Sequence, residues 1–204
     1  MSKTIVITGG TGFLGSSLVQ NLVQNGYTCV VFTRSPDKYN NTDSIKYVEW
    51  IPEPSYLTKY ISGAKAVINL AGAPIAAKRW TEEYKKIIIE SRVETTKALV
   101  QAVNQSAEKP VKFLSSSASG YYGDRGEEKL TEESKSGNDF LAEVCKKWEK
   151  ATEQLNNKVE LVIFRTGVVL HPNNGALEQI LKPLKLFVGG SLGKGDQYFC
   201  WIHK

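Results

Sequence analysis

Histidine and cysteine are scarce: two histidines, His171 and His203, and three cysteines, Cys29, Cys145 and Cys200, in 204 residues. Neither type recurs at metal-ligand spacing, so a zinc site has too little material. An odd cysteine count without a framework fits free thiols in a reducing compartment. No apolar run approaches the length of a membrane span. Blocks of like charge are also missing: 26 Lys and Arg against 21 Asp and Glu leave a formal net charge of +5. The basic residues are dispersed, as in K-K-I-I-I and K-K-W-E-K, which argues against a nucleic-acid arm. Residues 1–8 already read as a strand, leaving no room for a signal or transit peptide. These absences lead to the expectation of a cytoplasmic chain with neither nucleic acid nor membrane as partner.

What is present is 41% hydrophobic residue content, enough for one substantial core. The chain opens on K-T-I-V-I-T-G-G-T-G-F-L-G, Lys3–Gly15. An apolar strand ends at Thr8, glycines recur at Gly9, Gly12 and Gly15, and an amphipathic helix starts at Phe13. Unpaired N–H groups of a first helical turn point outward and favour an anion. Gly9 allows the sharp turn, Gly12 the approach of a pyrophosphate, and Gly15 the close packing of helix on strand. Position after a strand and before a helix makes this a dinucleotide fingerprint; the competing reading is an ordinary strand-to-helix turn.

Strand-like runs then alternate with helical ones. Strands are expected at Thr28–Thr33, Ile45–Trp50, Ala66–Leu70, Phe113–Ser116 and Val159–Phe164. Helices are expected after Phe13, over Tyr56–Ile61, from a Thr81 cap to about Ala102, and from Asn138 or Asp139 to about Leu155. Residues beyond 167 read as glycine- and proline-rich loop with one short helix near Ala176–Leu181. The alternation predicts a doubly wound parallel sheet, Rossmann-like, in three α/β/α layers. A dinucleotide-binding domain is expected over 1–170, with 171–204 a partial substrate-side segment.

The fingerprint's acidic partner is due at the end of the second strand, where Arg34 stands instead. A carboxylate there repels a ribose 2′-phosphate, whereas a guanidinium grips it with paired hydrogen bonds. NADP is therefore expected over NAD; the competing reading is a solvated loop arginine.

The ordered motifs T-G-G-T-G-F-L-G (8–15), N-L-A-G (69–72), R-W-T-E-E (79–83), S-R-V-E-T-T (91–96), G-Y-Y-G-D-R-G (120–126), D-F-L-A-E-V-C-K-K-W-E (139–149), R-T-G-V-V-L (165–170) and W-I-H (201–203) resemble the extended, atypical short-chain dehydrogenase/reductases. The resemblance is greatest to the NADP-binding "epimerase family" group. It implies that Gly9, Thr11, Gly12, Phe13 and Leu14 wrap the pyrophosphate, with Gly15 counted among the cofactor-binding residues, and that Thr33 and Arg34 hold the adenosine phosphate. Leu70, Ala71 and Gly72 are implied beside the ribose. Arg92 is implied to point at the cofactor, against the alternative of a surface ion pair with Glu90 or Glu94. Ser115, Ser116 and Val168 are implied to border the nicotinamide.

Enzymes of this superfamily use Tyr-x-x-x-Lys on a helix, with a serine on strand five. Ser117 fits the serine. No tyrosine in this chain has lysine four residues later; the nearest approach is Tyr121 with Arg125. Two readings follow. One is an NADP-dependent oxidoreductase or epimerase acting on a small carbonyl or hydroxyl substrate, with Tyr121 or Tyr122 as relocated acid/base. The other is a catalytically inactive NADP-binding module that works through a protein partner, as some group members are connected with cell division. Both tyrosines also have a purely packing interpretation. Family members continue past W-I-H, so a C-terminally truncated chain is expected, with strand six lacking an outer neighbour and inviting a homodimer.

Overall fold

The structure is a computed structural model, and it describes residues 3–190, 195 and 198–204. By packing, the chain forms two compact units, Met1–Ser116 with Lys147–Phe164 and Ser117–Lys146 with Arg165–Lys204. This division by packing is a separate matter from the functional partition expected at residue 170.

The first unit is built on parallel strands. β1 (Thr4–Thr8), β2 (Thr28–Thr33), β3 (Ile45–Glu49), β4 (Ala66–Asn69), β5 (Lys112–Ala118) and β6 (Glu160–Thr166) form one sheet in the order β3-β2-β1-β4-β5-β6. The unit's helices are α1 (Phe13–Gln24), α2 (Pro54–Ile61) and α3 (Glu82–Gln105), and α4 (Phe140–Lys150) has only its last four residues in this unit. This is the Rossmann-like architecture. Strand order reverses between β1 and β4, and such a switch point opens a crevice at the strands' carboxyl ends.

Alternation along β1 produces the layers. Ile5 and Ile7 pack on one face with Val19, Cys29, Val31 and Ile68. Val6 packs on the other with Phe32, Leu57, Ile61, Leu99, Val103 and Phe113. Both faces are covered, which is why the strands read as continuous apolar runs. Leu57 and Ile61 are fully buried, and each such side chain stabilises the fold by roughly 1.5–3 kcal/mol. Thr81 caps α3, its hydroxyl accepting from the Tyr84 N–H at 3.3 Å, with Glu82 and Glu83 in the first turn.

Two expectations need correction. The helix expected to reach Leu155 stops at Lys150, because bonds three residues back take over: Thr152 N–H to Glu149 and Glu153 N–H to Lys150. Beyond 167 the helix expected near Ala176–Leu181 is present within a longer helix, but the rest is not all loop. In the second unit β7 (Val168–His171) pairs in parallel with β8 (Trp201–His203), and α5 (Gly175–Lys185) lies between them in sequence. Three or four residues per strand carry no readable period, and the pair joins segments some thirty residues apart. The loop reading of 191–194 and 196–197 falls outside the described residues.

Candidate functional site

The glycine turn has the geometry its spacing predicted. Gly9 sits at φ 71°, a left-handed conformation that side chains rarely adopt. A Cβ there would also stand 2.7 Å from the Leu70 carbonyl, so the turn lies directly on the end of β4. A Cβ on Gly15 would meet the Gly9 carbonyl oxygen at 2.1 Å. Helix and turn therefore touch backbone to backbone, and only glycine fits. Gly12 is the N-cap of α1, with no side chain capping the helix and no acidic residue in its first turn. That leaves the positive end of α1 to an anion. The residues present fit a dinucleotide diphosphate.

Register brings several expected residues together at the carboxyl ends of the strands. Thr8 lies opposite Asn69, and Asn69 opposite Ser115. Thr33 closes β2, its hydroxyl accepting from the Ser35 N–H at 3.4 Å. Arg34 follows it, exposed and without a hydrogen bond or ion pair to any described residue. A guanidinium in that state is available to a 2′-phosphate.

Behind the strand ends is a buried polar cluster that sequence reasoning missed. The Thr8 hydroxyl donates to Asn69 Oδ1 at 2.7 Å, and Asn69 Nδ2 donates to Thr96 Oγ1 at 2.8 Å. Trp148 Nε1 donates to the same Thr96 oxygen at 3.1 Å. Arg92 is buried rather than on the surface. It donates to the Ile88 carbonyl at 2.9 Å and the Ala73 carbonyl at 3.0 Å, and its guanidinium lies 5.2 Å from the Trp148 ring. Glu90 and Glu94, its alternative partners, pair with Lys86 and Lys97. A Cβ on Gly72 would come within 2.9 Å of the guanidinium carbon, so Gly72 makes room for Arg92.

Ser115, Ser116 and Ser117 share β5, whose burial alternates. Ser115 and Ser117 therefore face one side and Ser116 the other.

The second unit holds the tyrosines, in a 3-10 turn over Ser119–Tyr122. Tyr122 is buried, Tyr121 half-buried, and their rings meet edge to face at 5.2 Å. Arg125 is not their cation: it forks onto the Glu128 carboxylate. That place is taken by Arg165. Its guanidinium carbon lies 3.5 Å from the Tyr121 ring centre, and Nη1 donates to the Tyr122 hydroxyl at 3.0 Å and the Glu132 carbonyl at 2.9 Å. The Tyr121 hydroxyl makes no hydrogen bond to any described residue. Val168 opens β7, donating its N–H to the Cys200 carbonyl. Among the described residues no His, Cys, Asp and Glu cluster could hold a metal, and no helix is long and apolar enough to cross a membrane.

Comparison with known proteins agrees with this geometry. The model of the NAD dependent epimerase/dehydratase family matches residues 5–146. The chain is 41% identical to the chloroplastic epimerase family protein SDR39U1 homologue of Arabidopsis thaliana, over 98% of this chain and 58% of that protein. It is 36% identical to an epimerase family protein of Staphylococcus haemolyticus, over 98% of this chain and 67% of the relative. The crystal structure of human epimerase family protein SDR39U1, solved with NADPH, superposes with a TM-score of 0.82 at 29% identity, covering 98% of this chain and 65% of that one. The chain thus spans about three fifths to two thirds of these proteins' length. By its glycine cradle, strand order and sequence, it belongs to the NAD dependent epimerase/dehydratase family.

Proposed function

We propose that this chain binds NADP and serves an oxidoreductase or epimerase reaction on a small carbonyl or hydroxyl compound. The observation that carries the reading is Arg34, exposed and unengaged by any described residue at the tip of β2, one strand away from a cradle that fits a diphosphate. The human relative solved with NADPH supports the same cofactor. Gly9–Gly15 and the α1 N-terminus bind the diphosphate, Thr33 and Arg34 select the phosphorylated ribose, and Leu70–Gly72 line the adjoining ribose. NADP, when bound, supplies hydride exchange at its nicotinamide ring.

Proton exchange is assigned to Tyr121. Tyr122 is the weaker choice, because its oxygen is already engaged by Arg165 and its ring is buried. Ser117 is assigned to orienting the substrate oxygen, and Val168, Ser115 and Ser116 to the nicotinamide side. The missing Tyr-x-x-x-Lys pair favours the second reading, an inactive NADP module acting through a protein partner.

Titration calorimetry tests the cofactor claim: NADPH should bind more tightly than NADH, and Arg34→Ala should erase the difference. Equal affinities in the parent chain would sink it. NADPH oxidation across a panel of aldehydes, ketones and keto-sugars tests the chemistry. Turnover lost in Tyr121→Phe and kept in Tyr122→Phe supports the assignment. No turnover by a chain that binds NADPH supports the inactive module.

A further inference from the structure

Loop Leu70–Ala73 is held at both ends by side chains, one from the end of β4 and two from α3. Asn69 Oδ1 accepts from the Ala71 N–H at 3.3 Å, and Ser91 Oγ accepts from the Ala73 N–H at 3.0 Å. The Ala73 carbonyl takes Arg92 Nη2. Both anchors converge on one oxygen and one ring. Thr96 Oγ1 accepts from Asn69 and from Trp148 while donating to the Arg92 carbonyl at 2.8 Å. Trp148 gives Thr96 its only ring N–H and gives Arg92 its ring face. Thr96 and Asn69 are fully buried and Trp148 is 6% exposed, so water cannot replace a lost partner.

From this geometry we infer that Thr96 and Trp148 are positioning residues for the cofactor loop, acting through Asn69 and Arg92 without touching the cofactor. Thr96 satisfies the Asn69 amide, which leaves Oδ1 turned to Thr8 and to Ala71. Trp148 fixes the Thr96 hydroxyl hydrogen toward the Arg92 carbonyl and cushions the guanidinium that holds Ala73. Removal of either lets the loop leave the cofactor-competent shape, and apparent affinity falls with the fraction still in it. The inference rests on the NADP reading proposed above.

The test uses the full chain in four variants: Thr96→Val, Thr96→Ser, Trp148→Phe and, as a control, Val103→Ala. Val103 is fully buried on the same helix α3 but belongs to the apolar core. NADPH affinity by calorimetry, melting temperature, and amide exchange of Ala71 and Ala73 by NMR without cofactor are measured on each. Thr96→Val and Trp148→Phe should weaken NADPH binding about tenfold, the equivalent of about 1.4 kcal/mol. They should also speed exchange at Ala71 and Ala73 beyond that of the β1 amides. Thr96→Ser should restore both. Val103→Ala should lower the melting temperature comparably yet leave affinity and loop exchange alone. Unchanged affinity and loop exchange in folded Thr96→Val and Trp148→Phe overturn the inference while the NADP reading stands. A loss that Val103→Ala reproduces overturns it too. Failure of the parent chain to bind NADPH brings down both.

Discussion

At the scale of single residues, the three fingerprint glycines are not equivalent. Gly15 is locked by backbone, since its missing Cβ would lie 2.1 Å from the Gly9 carbonyl oxygen and 2.6 Å from the Gly10 Cα. Neither neighbour can rotate away. Gly15→Ala is expected to cost about 3 kcal/mol, the severe end of overpacking, and to lower the melting temperature measurably. Gly12 is looser, its Cβ meeting one oxygen at 3.2 Å. Gly12→Ala should therefore melt within a few degrees of the parent chain yet bind NADPH at least tenfold more weakly, because a methyl would stand where the proposed NADP reading brings in the diphosphate. Calorimetry beside thermal denaturation separates the two, and equal stability losses would refute the distinction. Cys29 gives a pH effect of the same scale. Burial pushes its thiol up from 9.0 to about 11. In the unfolded chain it ionises first, so it supports the fold fully below pH 9.0 and that support is lost as pH rises toward about 11. Tyr47, raised by burial and by the nearby Tyr39 and Cys29, acts in the same direction. Urea denaturation from pH 8 to 11 should show stability falling, with a shallower fall in Cys29→Ala.

At the scale of elements, helix ends and strand ends carry the design. α3 is the long helix behind loop Leu70–Ala73, and its entry depends on one hydroxyl. Thr81→Ala removes the acceptor for the Tyr84 N–H and should cost about 1 kcal/mol, read as a drop in urea midpoint with unchanged slope. Hydrogen bonds from its own backbone N–H and from the Thr81 side chain hold the carboxyl of exposed Glu83 below the ordinary range. The helix start was legible because Thr, two glutamates and an apolar period coincide there. The stop of α4 at Lys150 was not, since Ala151–Leu155 continues the helical pattern while turn bonds end the ladder.

At the scale of the whole molecule, the sheet ends on β3 at one edge and β6 at the other. On β6, Leu161 and Phe164 are 37% and 45% exposed. An apolar edge strand with unpaired backbone groups is a template for another chain. The chain is expected to self-associate as its concentration rises, and Phe164→Lys to shift it toward monomer in sedimentation velocity. A single monomeric boundary for the parent chain at every concentration would exclude this. Among the described residues the tail from Leu184 to Ile202 also exposes Phe187 and Trp201, so the Lys substitution identifies which surface is responsible.

What the sequence determined by itself is local chemistry. Apolar runs covered on both faces dictated parallel strands, glycine spacing dictated the turn at Gly9, and the residue after Thr33 dictated a guanidinium where a carboxylate is usual. Each rests on neighbours a few positions apart, within reach of sterics and periodicity. Only the tertiary structure decided what long-range packing brings together. Arg165 lies over Tyr121 although Arg125 is closer in sequence, the Trp148 ring lies against the Arg92 guanidinium that holds the Ala73 carbonyl, and β7 pairs with β8 although α5 separates them in sequence. Those partners are joined by hydrogen bonds and ring contacts between distant segments, and no spacing along the chain encodes them.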